Sequence, residues 1–232
     1  MYQKSAAHYD AIYSFKNYQK EADKVHQLIQ QHKRSSGRTL LDVACGTGGH
    51  LAFLRQHYEV EGLDVNPDML KIARQKYSDM RFHLGKMASF NLKRKFDAII
   101  CLFSSIGYVK TKQRLHQTIQ NMAGHLQPGG VLIIEPWFSP EDFTPGTVHG
   151  LWVDKPDLKI ARINISLVKD SLSIMEMHHL VGTPSGIEHF VERHEMALFT
   201  HEEYLEAFRT ANMEVTHERE GLTGRGLYVA TQ

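Results

Sequence analysis

The sequence predicts an α/β fold: a Rossmann-like, mostly parallel sheet covered by helices on both faces, with an antiparallel β-sheet inserted late in the chain. Three observations carry this expectation. Between residues 39 and 135, short apolar runs alternate with segments of helical period, the pattern of βαβ units. The first run, Thr39-Leu40-Leu41-Asp42-Val43-Ala44, feeds a glycine-rich turn, Cys45-Gly46-Thr47-Gly48-Gly49. From residue 158 onward the period becomes two and the turns are short, as antiparallel strands require.

The elements follow in order. Tyr18, Ala22, Val25, Leu28, Ile29 and His32 recur at helical spacing, so a helix is expected over Tyr18–His32, ended by Arg34-Ser35-Ser36-Gly37. After the first strand and its turn, His50–His57 reads as helix and Glu59–Leu63 as strand, closing at Asp64. Asn66-Pro67-Asp68 has the form of a helix start, with Pro67 at the first helical position and Met69–Lys76 following. Phe82–Leu84, Phe96–Leu102 and Val131–Glu135 complete the parallel strands. A helix over Lys112–Leu126 precedes the last of them, closed by Pro128-Gly129-Gly130. Leu158–Leu167 then alternates, with Ala161, Ile163, Ile165 and Leu167 on one face. Leu172–Val181 and His189–Phe199 read as further strands. Thr200, with Glu203 three residues on, predicts a capping box and a helix. Met213–Thr216 and Leu227–Ala230 are expected to finish the main sheet as an antiparallel pair. The expected division is a cofactor domain of residues 1–137 and 200–232 with an N-terminal lid helix, and an inserted acceptor-binding sheet over 138–199.

Composition narrows the class. The chain has 232 residues, 27 Lys+Arg against 26 Asp+Glu, 42% hydrophobic and 23% charged residues, an ordinary globular profile. No apolar run approaches the roughly 20 residues of a membrane helix, and Met1-Tyr2-Gln3-Lys4-Ser5 opens no apolar leader. Cys45 and Cys101 cannot make a disulfide framework. A cytoplasmic protein with buried free thiols is expected. A net charge of +1 argues against bulk nucleic-acid binding, though the charge is uneven. Lys71–Lys95 holds eight basic residues and one acid, while Glu188–Glu220 holds nine glutamates and three arginines.

The first βα turn is the chemically informative place. Glycine there lets backbone approach a ligand where a Cβ would collide, and open parallel sheets bind ligands outside the carboxyl ends of their strands. Asp64 ends the second strand, 22 residues after Asp42, and can accept both hydroxyls of a ribose. The dinucleotide pattern G-x-G-x-x-G fails because Leu51 stands at the third glycine position. No Gly-Lys-Ser/Thr follows the turn, so a Walker phosphate loop fails as well.

Leu41–Gly48, Gly62-Leu63-Asp64 with Asp68-Met69-Leu70, Phe96-Asp97-Ala98 and Leu126-Gln127-Pro128-Gly129-Gly130 together resemble class I S-adenosylmethionine-dependent methyltransferases. Tyr9-Asp10, Phe103-Ser104-Ser105-Ile106-Gly107-Tyr108, Glu135-Pro136-Trp137 and Gly224-Arg225-Gly226-Leu227 extend the likeness along nearly the whole chain. They resemble the N,N-dimethyltransferases that act on the amino group of dTDP-linked deoxysugars. The resemblance implies a seven-stranded methyltransferase sheet and S-adenosylmethionine as cofactor. It implies Ala44, Gly46 and Gly48 along the methionine part, Asp64 at the ribose, and Met69, Met87 and Phe103 around the adenine and the sulfonium. The family usually has Gly-Asp-Met where this chain has Gly85-Lys86-Met87. Lys86 cannot accept a hydrogen bond, so a backbone or neighbouring side-chain acceptor is expected to serve the adenine amino group.

Transfer of a methyl group to an amine is an in-line displacement whose leaving group departs neutral, so the protein's task is alignment and exclusion of water. Tyr108 and Tyr13 resemble family positions beside the reacting amine and are the expected catalytic residues. Tyr2, Tyr9 and Trp137 are expected at the acceptor. One of His178 and His179, adjacent on a predicted strand, is expected to line the acceptor pocket. Arg225, between two glycines, is suited to grip a phosphate or carboxylate. No metal is expected, because His178/His179 and His189/His194 each point to opposite faces of a strand. The expected partners are thus a small-molecule amine, with nucleic acid and membrane excluded and a homodimer allowed. The alternatives are another small amine or an oxygen or carbon acceptor, and a protein that binds the cofactor without turnover.

Overall fold

The alternation read from the sequence becomes a seven-stranded sheet in a computed structural model that describes residues 4–232. Five parallel strands, β1 (Thr39–Val43), β2 (Glu59–Asp64), β3 (Arg81–Leu84), β4 (Phe96–Cys101) and β5 (Leu126–Ile134), are joined by helical crossovers. β10 (Glu214–Glu218) and β11 (Leu227–Thr231) close one edge, antiparallel to each other, with β11 also antiparallel to β5. The order is β10-β11-β5-β4-β1-β2-β3. The chain therefore leaves β1 toward β2 on one side and returns through β4 on the other. That reversal opens a crevice at the carboxyl ends of β1 and β4.

Among the described residues, six α-helices flank this frame: α1 (Tyr9–Ile12), α2 (Tyr18–His32), α3 (Leu51–Leu54), α4 (Pro67–Lys76), α5 (Lys112–Gly124) and α6 (His201–Thr210). Apolar residues of α2, α3 and α4 cover one face with Val25, Leu28, Leu51 and Leu70. On the other face α5 and α6 pack through Leu115, Ile119, Ala207 and Phe208. Every residue of β4 is buried, as a strand covered on both faces must be. The predicted capping box is present: Thr200 Oγ1 accepts from Glu203 N–H, and the Glu203 carboxylate accepts from Thr200 N–H.

β6 (Val148–Lys155), β7 (Leu158–Lys169), β8 (Leu172–Thr183) and β9 (Gly186–Ala197) form a separate four-stranded antiparallel sheet in simple meander order. β6 was not legible in the sequence, where its His149, Gly150 and Asp154 interrupt any alternation. Register with β7 makes the strand: Gly150 pairs with Ile163, and Trp152 with Ala161. The segment His50–His57, expected as helix, holds only α3 as α-helix, because the remainder curls into turns that deliver the chain quickly to β2.

Part of the basic run is paired. Glu61 accepts Arg94, Arg81 and His83, Arg55 pairs with Asp79, and Lys76 reaches Asp10. Cys45 and Cys101 are buried, and burial pushes both thiols up, so neither is reactive. Among the described residues, no helix is long and apolar enough to cross a membrane.

Candidate active site

β1 delivers the chain into a turn that only unusual backbone can form. Ala44, Gly46 and Gly48 all have positive φ, at 64°, 56° and 81°. A Cβ on Gly46 would meet no protein atom within 4 Å, so the space above it belongs to the cavity rather than to packing. Asp64, at the end of β2, ties the turns together. Its Oδ2 accepts Gly46 N–H and its Oδ1 accepts Asn66 N–H, each at 2.8 Å. Asn66 in turn caps α4 through Asp68 N–H. Burial raises Asp64, although backbone N–H groups partly offset it. Asp42 lies beneath the same turn, with Oδ2 buried and unpaired, and burial together with Asp64 raises it strongly. Asp64 borders the cavity and Asp42 lies behind it, so the crevice offers a desolvated acidic group to a ligand. S-adenosylmethionine, with its sulfonium, ammonium and ribose hydroxyls, fits that donor and acceptor set.

The end of β4 is strained in a compensated way. Phe103 and Ser104 are consecutive left-handed residues, with φ of 52° and 59°, each costing roughly 1–3 kcal/mol unless the surroundings hold it. Glu135 holds it. This fully buried carboxylate accepts Phe103 N–H at 2.6 Å, Thr223 Oγ1 at 2.6 Å and Arg225 Nη2 at 3.2 Å. Arg225 Nε also donates to Ser104 Oγ, which donates to Pro136 O. The Arg225 guanidinium therefore lines the cavity already engaged by Glu135, and lies 5.6 Å from both the Trp137 and Phe138 ring centres.

The N-terminal segment closes the crevice. Asp10 Oδ1 accepts from Thr47 Oγ1 at 2.6 Å and its Oδ2 from Lys76 Nζ at 2.8 Å, fastening α1 to the glycine-rich turn and to α4. Ala11, Ile12 and Tyr13 bury against Val153, Ile160, Val181 and Phe190 of the antiparallel sheet. Tyr9 and Tyr13 meet at a tilt with ring centres 4.6 Å apart, and Tyr13 meets the Phe103 ring edge-on at 5.1 Å. Burial and neighbouring phenols raise Tyr9 well above its ordinary value, so it serves as a hydrogen-bonding group rather than an acid.

One cavity of about 920 Å³ spans these parts. Its wall includes Ala44, Gly46, Asp64, Met69, Met87 and Phe103 at the end beside the glycine-rich turn. Tyr9, Tyr13, Tyr108, Trp137 and Arg225 stand on its wall too. Gly48 does not line it: its N–H bonds to Cys45 O and its hydrogens face Tyr77. The expectation for His178 and His179 is corrected. His178 is exposed beside His189 and Glu176, while His179 is buried with its ring stacked on Phe190 at 4.8 Å. Tyr2 lies outside the described residues.

Arg162 was missed. It lines the cavity, donates from Nη1 to Tyr13 Oη at 3.2 Å, and keeps a buried Nε without a partner. The signal was present in β7. Ile163, Ile165 and Leu167 are the exposed face of that strand, and Arg162, Asn164 and Ser166 are the face turned to the cavity. Alternation identified both faces but not which one pointed inward.

Residues 40–130 match the family described as "Methyltransferase domain". The chain is 39% identical over 224 residues to a dTDP-3-amino-3,6-dideoxy-α-D-glucopyranose N,N-dimethyltransferase of Streptomyces fradiae, covering 95% of this chain and 88% of that one. It is 37% identical to a dTDP-4-amino-2,3,4,6-tetradeoxy-D-glucose N,N-dimethyltransferase of Saccharopolyspora spinosa, with 95% and 90% covered. Among solved structures, Streptomyces venezuelae DesVI superposes with a TM-score of 0.93 at 37% identity, covering 99% and 98% of the two chains. An S-adenosylmethionine-bound amino pentose methyltransferase of Micromonospora echinaspora superposes at 0.87 and 38% identity, over 100% and 97%.

Proposed function

The chain belongs to the class I S-adenosylmethionine-dependent methyltransferases, and from that premise we propose that it methylates the amino group of a nucleotide-linked amino deoxysugar. The full-length likeness to dTDP-aminodeoxysugar N,N-dimethyltransferases extends the proposal to two successive transfers. The observation that carries it is the single cavity that joins the Asp64 crevice to the Tyr13, Tyr108 and Arg162 wall.

S-adenosylmethionine supplies a methyl group on a sulfonium. Asp64 would take the ribose hydroxyls, the backbone at Ala44 and Gly46 the methionine part, and Met69 and Met87 the adenine faces. Ser89 and the backbone of residues 86–89 border the cavity and offer the adenine acceptor that Lys86 cannot. Tyr13 and Tyr108 would hold the amine so that its lone pair points along the line of displacement. Arg162, with a buried unpaired Nε, is suited to an anionic part of the acceptor. α1 and the 3₁₀ turn Ser5–His8 would exclude water.

We assign residues 1–137 and 200–232 to cofactor binding and 138–199 to the acceptor. Two buried, unpaired thiols support a cytoplasmic location. The test is calorimetric binding of S-adenosylmethionine, followed by mass-spectrometric detection of methyl transfer to dTDP-amino sugars and a panel of simple amines. Gain of one and then two methyl groups by the amino sugar is expected. No cofactor binding would overturn the whole reading; turnover of another amine alone would replace the acceptor.

A further inference from the structure

Behind Tyr108 runs a buried polar chain that alignment of the amine does not require. The Tyr108 hydroxyl is 2.6 Å from His194 Nδ1. The His194 side chain, on β9, is wholly buried, and its Nε2 faces Glu192 Oε2 at 3.7 Å. Glu192 lies two residues back on the same face. It accepts the backbone N–H groups of Lys4 and Ser5, each at 3.1 Å, and the Ser5 hydroxyl at 2.6 Å. The chain thus runs from the cavity wall, through the antiparallel sheet, to the N-terminal lid. Met175, Met177 and Met196 pack beside Tyr108. A buried histidine and glutamate cost desolvation that apolar residues would avoid, so packing alone does not explain them.

The arrangement has a direction. Burial by itself would raise the Glu192 carboxyl, but contact with His194 and the Ser5 hydrogen bonds outweigh it and hold the group down to about 2. Glu192 is therefore a fixed negative charge at neutral pH. A carboxylate on the Nε2 side favours the tautomer protonated there, which leaves Nδ1 to accept from the Tyr108 hydroxyl.

We propose, resting on the N-methylation reading, that His194 is a positioning residue that takes, through Tyr108, the proton the acceptor nitrogen loses. When that nitrogen bonds to the methyl carbon it becomes an ammonium. One N–H proton passes to Tyr108 Oη while the Tyr108 hydroxyl proton passes to His194 Nδ1, and the nitrogen keeps the bonding pair as its lone pair. Tyr108 ends neutral. The positive charge rests on the His194 imidazolium against Glu192, and the proton exchanges with solvent on product release. A secondary amine freed in this way attacks a second methyl group; a secondary ammonium has no lone pair to do so. Among the described residues, the titratable and charged groups beside His194 include Tyr108, Glu192 on its own strand and His179 on β8, with Arg162 of β7 near His179 and Tyr9 of α1 near Tyr108.

The test is His194→Asn in the cofactor-loaded enzyme with a dTDP-amino sugar. A fall in kcat of about 10²-fold is expected, steeper for the second methyl, so that monomethylated product accumulates. Activity should recover as pH rises and solvent deprotonates the amine. The acceptor KM and cofactor affinity should stay within about two-fold, on the argument that His194 touches neither ligand. Tyr108→Phe should share the product ratio and pH profile, and the double variant should be no worse than the poorer single one. An unchanged product ratio and pH profile, or a loss confined to KM, overturns the proposal. A measurement on the unaltered protein guards against a variant that fails to fold. Its ¹⁵N-histidine spectrum should show the neutral His194 ring as the Nε2–H tautomer, and an Nδ1–H tautomer overturns the assignment. Wild-type turnover on amines decides the underlying reading separately.

Discussion

The two ends of the cavity are built in opposite ways. The cofactor end is made of backbone: three positive-φ residues after β1, a carboxylate that holds two turns by their N–H groups, and a left-handed pair after β4. The other end, proposed for the acceptor, is made of side chains carried in from distant elements, such as Tyr13, Tyr108, Arg162 and Trp137. The backbone end resolves into short contiguous motifs, because a turn needs neighbours in sequence. At the side-chain end Tyr108 and Trp137 lie in short motifs, but Arg162 has no contiguous signature. Changes at the first end should act on cofactor binding, and changes at the second on acceptor binding and proton handling.

The sharpest way to break this division is at its joint. Glu135 serves both ends, holding Phe103 on one side and Arg225 on the other. Glu135→Ala leaves a half-buried arginine without its counter-charge and should cost about 3–5 kcal/mol of stability, read by urea denaturation. A loss under about 1 kcal/mol would mean that the two ends do not share this support.

The next effect separates the lid from the turn. The Glu192 carboxyl sits at about 2 when folded, below its ordinary 4.5. The stability it contributes is thus fully present above pH 4.5 and is lost as pH falls toward 2. Up to about 3 kcal/mol is at stake. Glu192→Gln should lose this acid-dependent part, so the stability curves of the two proteins should converge below about pH 3. Parallel curves down to pH 2 would remove Glu192 from the account.

Asp64→Ala should weaken S-adenosylmethionine binding by about 1–3 kcal/mol, the range for a charge-assisted hydrogen bond, as measured by calorimetry. Equal affinity would take Asp64 out of the site. The smallest effect belongs to the acceptor end. Tyr13→Phe removes the hydroxyl that accepts from Arg162 and should cost about 1 kcal/mol in acceptor kcat/KM, with cofactor affinity unchanged. A matching loss of cofactor affinity would blur the division between the two ends.

Several features are legible in short stretches of sequence. The strand–turn–helix at residues 39–54, Asp64 at the next strand end, Pro67 opening α4, and the Thr200–Glu203 capping box all follow from local rules. They act over a few residues and need no tertiary partner. The departures are equally specific. β6 exists because β7 pairs with it, although its own residues alternate poorly. Gly48 shapes the turn without bordering the cavity.

By itself the sequence determined the fold, the glycine-rich crevice and the place of Asp64 at the next strand end, since these rest on periodicity and backbone conformation within short windows. Only the tertiary structure decided which face of β7 joins the cavity wall. Period two in β7 separates Arg162, Asn164 and Ser166 from Ile163, Ile165 and Leu167, and burial logic would turn the apolar set inward. The cavity reverses that choice, because it is a polar interior that needs hydrogen-bonding side chains. Likewise His194 and Tyr108 lie 86 residues apart and meet at 2.6 Å only because β9 packs against the turn that follows β4.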